Sequence, residues 1–176
     1  MTRPQIKRAR DKAREIVARF DVQNPPIPVE RIAKQLGLRV TYSPLDPELS
    51  GIIYARDGST IVGVNSLHHP NRQRFTLAHE CGHHLLHSEK LAGLVHVDKQ
   101  FSGLMRSELS SQGVDPIEVE ANQFAAELLV PEQFLVRQLA NRPFDVQDDE
   151  LVSNLAKRFQ VSTQTMTHCL SNLLKH

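Results

Sequence analysis

Ile6, Ala9, Ala13, Ile16, Val17 and Phe20 recur at spacings of three and four, which predicts a helix from about Pro4 to Phe20 with one apolar stripe. Pro25-Pro26-Ile27-Pro28 ends it and starts a second helix, whose inward face is Val29, Ile32, Ala33 and Leu36 and whose stop is Gly37. Leu38 to Tyr42 reads as a strand. Gly51 to Ala55 and Thr60 to Asn65 are rich in β-branched residues and flank Arg56-Asp57-Gly58-Ser59, a hairpin signal. A small antiparallel sheet of about three strands is expected. A helix follows over about Arg72 to Ser88. Leu91 to Val114 is weakly patterned and reads as loop, with a short helix near Leu104 to Leu109.

Asp115-Pro116-Ile117-Glu118 is a strong helix start, with an Asp cap, proline at the first position and Glu at the third. That helix should stop before Pro131, and helices over Glu132–Ala140, Asp148–Phe159 and Thr163–Leu174 complete the chain. The expected fold class is α+β: a mainly helical single domain over 1–176, with a small sheet beside the central helix. Residues 1–37 supply N-terminal helices, 38–131 the sheet and core, and 132–176 C-terminal helices.

Composition narrows the function classes. With 21 Lys and Arg against 20 Asp and Glu, the net charge is +1, which argues against direct nucleic-acid binding through bulk charge. The first helix carries Arg3, Lys7, Arg8, Arg10, Lys12, Arg14 and Arg19 on its polar faces, and a solvated face explains these better than a nucleic-acid patch. Two cysteines, Cys81 and Cys169, are too few for a disulfide framework and fit a cytoplasmic setting. No apolar run reaches the roughly 20 residues of a membrane span, and no secretory signal is visible.

The chemistry concentrates in the central helix. His79-Glu80-x-x-His83 places two imidazoles about 40° apart around a helix, one turn from each other, so both can reach one Zn2+ ion. Glu80 can then hold and deprotonate a water there. Three protein ligands are usual for catalytic zinc. His84 points about 100° from His83, and His87 lies about 12 Å along the axis from His79, so neither completes the set on a straight helix. Glu118 and Glu120, about 160° apart on the later helix, are the alternatives. Glu118 is preferred because Asn122 shares its face and could hydrogen-bond a ligand histidine, whereas Glu120 would bring Phe124. A capping role competes for Glu118. Cys81 faces away from His79 and reads as core, and His68, His69, His96, His168 and His176 read as surface residues.

Arg72-Gln73-Arg74-Phe75-Thr76-Leu77-Ala78-His79-Glu80-x-Gly82-His83, followed by Glu118-x-Glu120-Ala121-Asn122-x-Phe124-Ala125-Ala126-Glu127-Leu128-Leu129-x-Pro131, resembles the ImmA/IrrE family of zinc metallopeptidases. HExxH with a later Glu-x-x-x-Asn helix is similar to the gluzincin layout. The Ile61–Asn65 strand, the Pro28–Ala33 helix and the Leu155–Ser162 tail extend the likeness over nearly the whole chain. The helix-turn-helix domain often found ahead of such domains is not expected within these residues.

The resemblance implies one zinc ion on His79, His83 and Glu118, Glu80 as general base, and endopeptidase action on a DNA-binding repressor, in a regulatory, stress or mobile-element switch. The oxyanion needs a donor, for which Tyr54, Arg74 and His87 are candidates. Thr60 to Asn65, taken as an edge strand, could hold an extended substrate by strand addition. A competing reading is a zinc-containing regulator, or one half of a toxin–antitoxin pair, that acts by binding with little proteolysis. Its feature is Leu155 to Leu170, which reads as helix, tight turn and helix. The second of these offers Gln164, Thr165 and His168 with no Lys or Arg before Lys175, so packing or partner docking suits it better than DNA.

Overall fold

A computed structural model describes residues 3–91, 93–98, 115–140 and 143–175. The short helix expected near Leu104 to Leu109 lies outside them. Seven helices and one sheet are described: α1 (Arg3–Arg19), α2 (Val29–Gln35), β1 (Leu38–Ser43), β2 (Gly51–Arg56), β3 (Ser59–Asn65), α3 (Pro70–Leu91), β4 (Val95–Asp98), α4 (Pro116–Leu129), α5 (Glu132–Leu139), α6 (Asp149–Phe159) and α7 (Thr163–Leu173). The α+β, mainly helical architecture is the one expected.

The sheet differs from expectation in two ways. It has four strands in the order β1-β3-β2-β4, and β1 pairs with β3 in parallel while the other neighbours are antiparallel. Residues 44–50 carry the chain across the end of β3, so β1 and β2 flank it. Asn65, wholly buried at that end, holds the crossing: its Nδ2 donates to Leu49 O at 2.8 Å and Asp46 O at 3.1 Å, and its Oδ1 accepts from Leu45 N at 3.2 Å. β3 is therefore interior, and Thr60 to Asn65 offers no edge to a substrate. The edges among the described residues are β1 and β4. β4 was expected as loop, because four residues are too short for alternation to stand out.

The Asp57-Gly58 turn joins β2 and β3 with φ of 50° and 75°, the positive pair that lets a two-residue turn follow strand twist. One sheet face, carrying Leu38, Ile53, Val62 and Val64, is buried beneath α3. α3 is sandwiched between this sheet and α4. Gly82 sets the helix–helix spacing: a β-carbon there would stand 3.0 Å from Phe124 Cδ1 and 3.2 Å from the Ala121 α-carbon. α1 covers the outer side of α4 with Ala9, Ala13, Ile16 and Val17 buried, and Arg14 Nε donates to Glu127 Oε1 at 2.9 Å. At the C-terminal end, α6 and α7 close on each other through Leu155, Phe159, Met166 and Leu170.

Candidate metal centre

α3 directs His79, Glu80 and His83 inward, and all three are buried. α4 meets them at its first turn. Asp115 caps this helix by accepting from Ile117 N at 3.1 Å, which leaves the Glu118 carboxylate free to turn toward the histidines. Glu118 Oε2 lies 3.3 Å from His79 Nε2, and Oε1 lies 3.2 Å from His83 Nε2. The two histidine Nε2 atoms are 2.9 Å apart. One turn on, His79 Nδ1 donates to Asn122 Oδ1 at 2.9 Å, which in the neutral ring keeps the proton on Nδ1 and the lone pair on Nε2.

These three side chains form the one group of potential ligands found among the described residues, with ligand atoms within 4.8 Å of one another. The donor set fits a divalent cation. The two Nε2 atoms face each other across 2.9 Å, a spacing that needs a shared proton or a metal cation between them. Bonds of about 2.0–2.1 Å at a tetrahedral centre would separate donor atoms by about 3.3 Å, close to the spacings observed. Two imidazoles and one carboxylate also leave a coordination position open, as in catalytic sites.

The electrostatics match this arrangement. Burial opposes charge on His79, yet Glu118 beside it, with Glu80 and Asp98, raises it to about 9. Burial lowers His83 to about 4, and the two imidazoles do not share the charged state. Burial alone would raise the Glu118 carboxyl, but His79, His83 and His96 hold it far below the usual range. Glu80 is fully buried and is raised to about 7 by that burial. It shares the helix with His79 and His83 and offers a base near neutrality beside them.

The other named side chains go elsewhere. Glu120 turns to His87, with 3.6 Å between its Oε2 and His87 Nε2, where α3 kinks at φ −133° and ψ 18°. Arg74 is not at the centre: it donates to Ile27 O at 2.8 Å and Gln160 O at 3.3 Å, tying the α1–α2 connection to the end of α6. Tyr54 registers with Ile61 and Val95, both exposed, on the sheet face away from α3, so alternation points it away from the histidines. His84 Nδ1 lies 3.4 Å from Thr60 Oγ1. Cys81 is wholly buried, with its thiol raised by that burial.

Two residues were missed. β4 brings His96 and Asp98 onto the buried sheet face, opposite Ile53 and Gly51. His96 Nε2 is 3.0 Å from Glu118 Oε1, and its ring is 4.5 Å from that of His83. The available signal was the period-two pair His96-x-Asp98, which also fits a loop. His168, expected at the surface, is buried, with Asn172 Nδ2 2.9 Å from its Nε2.

The sequence profile of a peptidase family described as IrrE N-terminal-like domain matches residues 33–171. Among solved structures, a Mycobacterium tuberculosis transcriptional regulator is similar in fold, with a TM-score of 0.60 at 17% identity. The likeness covers 94% of this chain and 46% of that one, so the chain spans about half the length of that protein. No curated protein matches. No described helix is long and apolar enough to cross a membrane.

Proposed function

The chain belongs to the peptidase family of IrrE N-terminal-like domains, and from that footing we propose that it is a zinc-dependent endopeptidase that cleaves a helix-turn-helix transcriptional repressor. The observation that carries the reading is the convergence of His79, His83 and Glu118, from two helices, beside the buried carboxylate of Glu80. A zinc ion held there would polarise the scissile carbonyl and make a neighbouring water easier to deprotonate.

The chain's own residues supply the remainder. Asn122 fixes the His79 ring so that Nε2 faces the centre. Glu80 takes a proton from the attacking water and passes it to the leaving amine, a task suited to a carboxyl raised to about 7. Burial of Glu80, His79 and His83 keeps bulk water from competing with this transfer. β4 is the sheet edge nearest the centre and pairs with β2 alone among the described residues, so it is the edge on which an extended substrate would add as a further strand.

A repressor as substrate follows from the family resemblance. The competing binding-only reading finds less support, because Thr165 and His168, two of the three side chains that α7 would offer to DNA, are buried. A toxin–antitoxin role is permitted by the family resemblance and neither supported nor excluded by the described residues. Glu80→Gln decides between cleavage and binding: it should retain metal and fold while losing repressor cleavage, whereas full cleavage by that variant rejects the peptidase.

A further inference from the structure

His96 stands at the centre without belonging to its ligand group. We propose that it is a further catalytic residue, whose Nε2–H donates to the scissile carbonyl oxygen as that oxygen gains negative charge. The proposal rests on the peptidase reading and supplies the oxyanion donor that Tyr54 and Arg74 are too remote to provide.

Three observations place His96 on the substrate's path. The side chains of His96 and Glu118 are 23% and 26% exposed, while those of His79 and His83 are 3% and 0%. Among the described residues, the centre therefore opens on the His96 and Glu118 side. His96 lies on β4, an edge strand among the described residues, and points from it toward the ligands, so a peptide added to that edge runs past it. Its Nε2 is 3.0 Å from the carboxylate oxygen of Glu118 that also faces His83, within one hydrogen-bond length of the ligand set. His87, the other remaining histidine close by, is buried against Glu120 and does not line this opening.

The step balances without a further reactant. Water oxygen bonds to the carbonyl carbon as one water proton passes to Glu80, and the π pair moves onto the carbonyl oxygen, where His96 donates its hydrogen bond. The pair then returns, the C–N bond breaks, and Glu80 delivers its proton to the leaving nitrogen. A preorganised donor of this kind is typically worth about 10²–10³ in kcat.

A simpler role, orienting Glu118, gives a different experimental signature. The full chain carrying one equivalent of zinc would be titrated with inorganic phosphate, a tetrahedral oxyanion probe, by calorimetry, for wild type, His96→Ala and His96→Gln. The expected result is equal zinc content in all three, phosphate binding weakened about tenfold or more in His96→Ala, and partial recovery in His96→Gln, whose amide can donate from a similar position. Unchanged phosphate affinity in His96→Ala would overturn the proposal. So would loss of zinc from that variant, which makes His96 a support of Glu118, or failure of the wild type to bind phosphate. Repressor cleavage retained in Glu80→Gln defeats the peptidase reading instead, and leaves the phosphate result standing as anion recognition.

Discussion

Glu80 lies against Gly51 so closely that a β-carbon at position 51 would stand 2.9 Å from Glu80 Oε1. The same atom would meet Thr76 Cγ2 at 2.5 Å. The backbone at 51 does not need glycine for its conformation, so clearance for Thr76 and for the Glu80 carboxylate is the reason for it. Gly51→Ala should destabilise by about 1–3 kcal/mol, the usual cost of overpacking. Gly51→Ala with Thr76→Ser removes the worst contact but not the one with Glu80. Urea unfolding should show stability largely restored in the double variant, while cleavage stays impaired at full zinc content.

Among the described residues, Asn122 is the side chain that fixes the ring of a ligand histidine by a hydrogen bond to its outer nitrogen. Asn122→Ala leaves His79 Nδ1 without its acceptor and should weaken zinc binding about 10–100-fold. Competition against a chelator measures this directly, and unchanged affinity would show that the α3 backbone alone orients the ring.

Glu118 and Glu120 are two residues apart and face different histidines. Glu118→Ala should reduce zinc affinity by more than the Asn122 variant, beyond about 100-fold, since it removes a ligand. Glu120→Gln should keep full zinc content. Metal analysis of the two purified variants checks the pair together.

The centre should also give the metal-free protein a characteristic pH profile. His79, raised from 6.5 to about 9, contributes stability that is complete below pH 6.5 and lost as pH rises through 9. Glu80, raised from 4.5 to about 7, acts in the same direction between those values. His83, lowered from 6.5 to about 4, acts oppositely, with its contribution lost as pH falls through that range. The site's share of stability should be level from pH 4.5 to 6.5, where Glu80 and His83 offset each other, and fall from 6.5 to 9. Zinc competes with the His79 proton, so the gain in Tm on adding one equivalent should grow with pH across that second window. Thermal melts with and without zinc test it.

Where local pattern carried the information, the sequence was readable. The α1 stripe, the hairpin around Asp57-Gly58 and the Asp115-Pro116 start of α4 are each specified by residues a few positions apart. So was the Glu118 face, through its spacing to Asn122. What was not legible depends on contacts distant in sequence. The parallel β1–β3 pair follows from how Asn65 pins residues 45–49, which no periodicity encodes. His96 reaches the centre only because β4 adds to β2, and four residues give no reliable alternation. Arg74 reads as a candidate oxyanion donor in the sequence, but in the fold its guanidinium is taken by the carbonyls of Ile27 and Gln160.

The most direct test maps new protein N-termini in cells expressing wild-type protein or Glu80→Gln at matched levels, with zinc content confirmed on the purified proteins. A peptidase centred on Glu80 should yield one or a few new N-termini within a helix-turn-helix repressor in the wild-type cells only. Identical N-termini in both strains would contradict it, and would mean that the His79, His83 and Glu118 centre does not cut protein.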